Sequence, residues 1–282
     1  MHSAVTTHAY AALTKGAIDQ VSQEIEALDA AAAKDPPDEY AVFYSGAFRL
    51  WKAAQATSTL SDVLALPGLA DEWLSRLTRA HTLLPDDFRI TGFLCNAQVI
   101  VSGLRSDKAL LAQGLTTCDA VIAEFPPYGH FLKAAATSTY PASDPVFASA
   151  FDDMTALAKT CGYSGADATH AYSYPAHPEA ETAPGICLDE GIVPHVFEGA
   201  FIVFGDLALR VKNDPELARK LYRSAQTAPH YATWPFAKDL EQRIQEADDR
   251  AARFNDTNPL NDPDSWNTKI CVGCHQDPGV AR

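Results

Sequence analysis

The sequence predicts an all-α chain, built as an array of helical hairpins or as an irregular helical bundle. Apolar residues recur at three- and four-residue steps, no stretch alternates with the period of two that a half-buried strand needs, and Pro, Gly or polar clusters close each segment. Over 17–34, Ile18, Val21, Ile25 and Leu28 form one face of a helix, which Pro36-Pro37 ends. From 38 to about 57 a second face is aromatic, with Tyr40, Phe43, Tyr44, Phe48 and Trp51. Amphipathic segments follow over 68–83, 86–104, 106–125, 128–137 and 144–160, then over 195–211, 214–227 and 236–254.

Two stretches break this rhythm. Residues 162–194 are too long for an ordinary connection, yet they hold Tyr163, His170, Tyr172, Tyr174, His177 and Cys187. Disordered segments are poor in aromatics, so an ordered functional loop is expected. Residues 254–282 form a polar tail of successive Asn, Asp and Pro turns, with only Phe254, Leu260, Trp266 and Ile270 to contribute to a core. The expected organisation is a helical body over 1–253, containing the loop, followed by the tail.

Three segments share a spacing. Trp73, Leu77, Ala80 and Pro85 stand four, three and five residues apart, as do Gly114, Cys118, Val121 and Pro126, and Ala218, Tyr222, Ala225 and Pro229 repeat the pattern one residue shorter. With Gly205 upstream of the last, these offsets resemble the second helix and closing proline of tetratricopeptide (TPR) repeats. The resemblance is degenerate, since the step from Gly205 to Ala218 is thirteen residues where the family has twelve. It implies helical hairpins stacked in an array.

The chain has 282 residues, 47% of them hydrophobic, enough for one large core or two modest ones. Thirty-six acidic against twenty-two basic residues give a net charge of −14, which repels phosphate backbones and excludes nucleic acid as a partner. A basic protein surface is the better match. No apolar run approaches the ~20 residues of a membrane span, and residues 1–8 carry neither a basic cluster nor an apolar run, so they read as either a true cytoplasmic start or the start of a trimmed mature chain. Cys95, Cys118, Cys161 and Cys187 are even in number and match an oxidising compartment as two disulfides. Cys95 and Cys118 fall in apolar helical patterns, where buried thiols are the simpler expectation; pairing of Cys161 with Cys187 would staple the loop.

The most specific signal is Cys271-Val272-Gly273-Cys274-His275. Two thiols at this spacing reach the two vinyl groups of one porphyrin, and the adjoining imidazole falls beneath the iron. The same three side chains supply three of the four ligands of a tetrahedral zinc site, or a dithiol redox pair.

These five residues resemble the haem-attachment signature of c-type cytochromes. The resemblance implies one covalent haem c, attachment outside the cytoplasm, in bacteria the periplasm, and electron transfer. Of the two readings of residues 1–8, a covalent haem would need the trimmed mature chain. The rest of the chain departs from that family: a small cytochrome c wraps its chain around the haem after the motif and offers a downstream Met, whereas seven residues follow His275 here. The helical body must then cover the haem, with Trp266 and Ile270 at the porphyrin edge. Met154 is the one internal methionine and sits in a core pattern, so a histidine is the expected sixth ligand. His195, at a helix start behind Pro194, ranks first, ahead of His177 and His170; His130 and His230 lie beside aromatics near helix ends.

The leading expectation is an extracytoplasmic mono-haem cytochrome on a TPR-like body, carrying electrons or serving as the haem-bearing subunit of a redox complex. The alternatives are a helical-repeat interaction protein with a zinc-binding tail, and a haem enzyme or gas sensor with an open iron position. No HExxH, nucleophile elbow, phosphate loop or dinucleotide fingerprint speaks for an enzyme.

Overall fold

The computed structural model describes residues 3–14, 20–55, 60–163, 172–174, 187, 195–256 and 274. Among the described residues the chain is all-α, with twelve α-helices, one turn of 3-10 helix and no strand. In order these are α1 (Ala4–Thr14), α2 (Val21–Ala32), α3 (Glu39–Gln55), α4 (Leu60–Leu83), α5 (Phe88–Arg105), α6 (Lys108–Glu124), α7 (Pro126–Thr137), α8 (Pro145–Thr160), α9 (Val196–Lys212), α10 (Pro215–Ala225), the 3-10 turn (Tyr231–Thr233), α11 (Ala237–Gln245) and α12 (Ala247–Phe254).

Each helix from α1 to α10 packs on the next, α5 also meets α7, and α12 folds back on α9 and α10. The hairpin connectors reuse one chemistry. Ser106 ends α5 and Asn213 ends α9, both left-handed at φ 54° and 50°, and each is followed by an aspartate that caps the next helix. Asp107 accepts from the Ala109 and Leu110 amides, and Asp214 from that of Leu217; such caps each stabilise a helix by ~1 kcal/mol.

The apolar faces gather into two clusters. The first joins α1 to α5 around Phe48, Trp51, Trp73 and Leu77. The second runs from α5 to α12 and surrounds α9, in which every residue from Val196 to Leu209 is buried. The spaced positions that suggested repeats, Trp73, Leu77, Ala80, Cys118, Val121, Ala218, Tyr222 and Ala225, are all buried, and all but Val121 belong to these two clusters. Gly205 shows why a small residue is needed there, since a Cβ on it would lie 2.2 Å from the Tyr222 ring of α10.

Three features differ from the sequence expectation. Residues 4–14 are helical, although their periodicity is weak. Helix α4 begins at Leu60 and runs through Pro67-Gly68, which propensity alone reads as a break. The single helix expected over 236–254 is divided at Glu246 into α11 and α12. Cys95 and Cys118, which the sequence leaves open between buried thiols and a cystine, form a disulfide tying α5 to α6, with α-carbons 5.0 Å apart. Their apolar setting is real, and a disulfide satisfies it as well as two thiols do.

Cys161 and Cys187 form the second disulfide. The described parts of the long loop are ordered by their aromatics. Tyr163 gives its hydroxyl to the Cys187 carbonyl at 2.7 Å, and the Tyr172 and Tyr174 amides donate to Ser224 and Thr227 side chains at 2.8 Å. The rings of Tyr163 and Tyr174 meet Phe197 at 5.1 and 5.0 Å, so these two tyrosines lie over the first turns of α9.

Candidate functional site

The first turn of α9 is where the motif meets the body. His195 is its N-cap and Glu198 its third residue, the spacing of a capping box, in which the glutamate ordinarily reaches back to the N-cap amide. Here the two donors of His195 are divided. Its amide donates to the carbonyl of Cys274 at 3.0 Å, while its ring Nδ1 meets Glu198 Oε1 at 3.0 Å. Cys274 thereby completes the cap of α9 from the far end of the chain. The carboxylate is also well placed electrostatically, because a helix N-terminus favours negative charge.

The Cys274 sulfur rests on the next residue. A Cβ on Gly199 would lie 2.2 Å from Cys274 Sγ, so the sulfur occupies space that any other residue would fill. Cys274 is 3% exposed, and the side chains of His195 and Glu198 are fully buried. Trp234 covers the imidazole, its ring 6.2 Å away and tilted by 35°, and is flanked by Tyr231 and Phe236. Burial pushes the Tyr231 hydroxyl above its usual range, and the charges of Glu241 and Glu198 add to that, against a hydrogen bond with Gln226.

Of the residues singled out by the sequence, the structure brings His195 and Cys274 together. Cys271, His275, Trp266, Ile270, His170 and His177 lie outside the described residues. Met154 is a core side chain, 2% exposed, in the cluster with Phe147 and Phe151. His130 pairs with Asp153 at 2.9 Å across α7 and α8, and His230 precedes the 3-10 turn. Glu198, Gly199 and Trp234 were not foreseen. Glu198 carried a readable signal, the capping-box spacing from His195; Gly199 and Trp234 carried none.

The donor chemistry fits a metal-bearing group. A carboxylate on Nδ1 leaves Nε2 as the nitrogen with the lone pair, the state a ligating imidazole requires. A bare helix surface at Gly199 lets a group attached to the Cys274 sulfur lie against α9. Among the described residues, no three His, Cys, Asp or Glu side chains gather closely enough to hold a metal ion.

The hydrogen bond that the His195 amide donates to the Cys274 carbonyl puts His195 beside the motif's own main chain, an arrangement that two imidazoles on opposite faces of one haem could not keep.

Comparison with protein-family models, with curated proteins and with solved structures finds no match to this chain.

Proposed function

We propose that the chain is an extracytoplasmic mono-haem c-type electron carrier, or the haem-bearing subunit of a redox complex, with haem c held by Cys271 and Cys274 and His275 on the iron. The observation that carries the reading is the seating of Cys274 on Gly199, next to an imidazole whose Nδ1 is held by a buried carboxylate. Haem iron supplies one-electron redox chemistry. The body supplies the setting: Trp234 and the loop tyrosines cover the start of α9, and burial there lowers the dielectric around the donors. Two disulfides agree with an oxidising compartment, and no helix among the described residues is long and apolar enough to cross a membrane. A net charge of −14 suits a basic redox partner.

His195 is the proposed sixth ligand, with His177 and His170 as the alternatives. Ligation by His195 requires its amide to leave the Cys274 carbonyl, so that amide should exchange with solvent faster in the haem protein than in protein without haem. The same close approach favours a second reading. A tetrahedral zinc ion, with bonds of about 2.0–2.3 Å, accepts ligand residues whose main chains touch, and Cys271, Cys274, His275 and His195 would make a full set.

A pyridine haemochrome spectrum of protein exported alongside a haem-attachment system separates the two. The expected result is one haem per chain that survives acid–acetone extraction. Colourless, zinc-loaded protein would replace the first reading with the second. A high-spin haem that binds carbon monoxide readily in the wild type would keep the haem and move the function to an enzyme or gas sensor.

A further inference from the structure

We propose that the Cys161–Cys187 disulfide is a redox-sensitive staple: a dithiol reductant opens it in the folded chain, Cys95–Cys118 stays closed, and the opening loosens the start of α9. Neither haem nor zinc at the motif is needed for it, because every residue involved belongs to the helical body or to the cystine itself.

The two cystines differ in access. Cys95 and Cys118 are both fully buried, at a crossing where Gly114 brings α6 so near α5 that a Cβ on it would lie 3.0 Å from the Val99 amide nitrogen. A thiolate reaches that bond only after the two helices part. Cys161 is instead the C-cap of α8 and half-buried, while Cys187 is fully buried. Cystines with an exposed sulfur are the ones that exchange with thiols.

The two arms of the accessible cystine also differ in how they are held. Cys161 sits in a Schellman ending, in which the Tyr163 amide donates to the Ala158 carbonyl at 3.2 Å and the Gly162 amide to the Lys159 carbonyl at 3.1 Å, with Gly162 left-handed at φ 64°. That arm stays on α8 whether or not the sulfurs are joined. Cys187 is tied to this helix end by the cystine and by its carbonyl, which accepts the Tyr163 hydroxyl at 2.7 Å. The Tyr163 ring in turn meets Phe197 at 5.1 Å and Phe201 at 5.6 Å, in one core cluster with Cys187. Departure of Cys187 takes a buried side chain and an acceptor out of that cluster, so sulfur chemistry at the end of α8 is felt in the first turns of α9.

The exchange balances without any group beyond the reductant. One thiolate of the dithiol attacks the Cys161 sulfur as the Cys161–Cys187 bond breaks, and the Cys187 thiolate departs and takes up a proton. The second thiol of the reductant, once deprotonated, displaces the Cys161 thiolate, which is protonated in turn. The reductant ends as a disulfide, oxidised by two electrons, and the cystine ends as two thiols.

In the test, full-length protein is incubated with dithiothreitol while the fold stays intact and quenched with iodoacetamide, each cysteine is read by peptide mass mapping, and amide exchange is followed in parallel. Cys161 and Cys187 should become alkylated together, at least about ten-fold faster than Cys95 and Cys118. Exchange should quicken in the first turns of α9 and return on reoxidation, with α2 to α4 unchanged. Cys161→Ser with Cys187→Ser should show the fast exchange without reductant and no further response to it; if that variant does not fold, the wild-type measurement decides. Equal reduction of the two cystines, or reduction of neither before the protein unfolds, overturns the proposal. So does alkylation of the pair, or of Cys161 alone, with exchange in α9 unchanged, which would leave a staple and no switch. Failure here leaves the reading of the motif standing, and failure of that reading leaves this one.

Discussion

Arg49 in the N-terminal cluster and Arg243 in the C-terminal cluster are each clamped by an aspartate from a neighbouring helix, yet the two clamps differ in their access to water. Arg49 of α3 meets Asp29 of α2 at 2.8 Å, with Ser45 and Glu72 as further partners, and the Asp29 side chain remains 29% exposed. Arg243 of α11 meets both oxygens of Asp206 of α9 at 2.7 Å. Tyr222 donates to the same carboxylate at 2.6 Å and Arg250 lies 3.5 Å from it, all deeply buried. Burial, and the Asp206 charge beside it, push the Tyr222 hydroxyl well above its usual range. The open clamp ties two helices at a surface. The sealed one anchors the same helix whose first turn carries His195 and Glu198, so α9 holds two buried carboxylates, Glu198 in its first turn and Asp206 past its middle. The candidate site is built on the same helix as the sealed clamp.

The largest effect that can break this comparison comes from deleting each aspartate. Asp206→Ala removes the buried carboxylate that Arg243 and Arg250 share, with the partly exposed Asp239 still meeting Arg243 at 3.0 Å, and should cost ~3–5 kcal/mol in urea unfolding. Asp29→Ala should cost ~1 kcal/mol, because water reaches the clamp and Glu72 remains on Arg49. Acid adds a sign. Burial raises the Asp29 carboxyl, but hydrogen bonds from Arg49 and Ser45 and the charges of Arg49 and Arg76 outweigh it, and the net shift is downward from 3.8. A group lowered on folding contributes stability above its unfolded value and loses it as pH falls through the folded one. Asp29→Ala should thus flatten the acid limb below about pH 4, with little change in that slope at neutral pH. Equal costs for the two deletions would mean that the clusters are not sealed differently.

Both disulfides belong to the C-terminal cluster. They close loops with sequence separations of 23 and 26, each worth about 3 kcal/mol in the chain-entropy account. Cys161→Ser with Cys187→Ser should remove about that much, and amide exchange should quicken around the start of α9 while α2 to α4 stay protected. Uniform loss of protection would show that the two clusters unfold as one unit.

A smaller contrast lies in two glycines at helix crossings. A Cβ at position 205 would meet the Tyr222 ring at 2.2 Å, whereas one at position 46 would meet Leu77 at 3.0 Å. Gly205→Ala must displace a ring whose hydroxyl is bonded to Asp206, and should cost ~2–3 kcal/mol. Gly46→Ala asks a leucine to give slightly, and should stay within ~1 kcal/mol by thermal melting.

The same contrast marks what the sequence made legible. Period and punctuation located the helices from α2 to α10, because amphipathic faces and Asp or Pro starts are local signals. Helix α1 and the unbroken α4 were not legible, since the first has a weak face and the second overrides Pro67. At the site, His195 was legible as a histidine at a helix start. The contact of Gly199 with a sulfur 75 residues later was not, because nothing local to a glycine in an apolar helix announces what will lie on it. The pairing of Cys95 with Cys118 stays open in the sequence for the same reason: a buried cystine and two buried thiols leave one apolar pattern.

Gly199→Ala sharpens the comparison with least effect on the fold. The sulfur it meets is the tip of a short side chain, with Cys274 Cβ at 3.6 Å and Cα at 3.8 Å from the new atom, so rotation of the cysteine relieves the overlap without moving α9. Alanine is also the better helix former, by ~0.5–1 kcal/mol. The body should therefore melt at or slightly above the wild-type temperature, the reverse of Gly205→Ala in the same helix. The sulfur, however, must leave its seat. Alkylation of Cys274, followed by peptide mass mapping in protein without haem, should quicken, and the yield of covalent haem on export should fall. Unchanged alkylation and full haem yield would show that the notch at Gly199 is only where a thiol happens to rest.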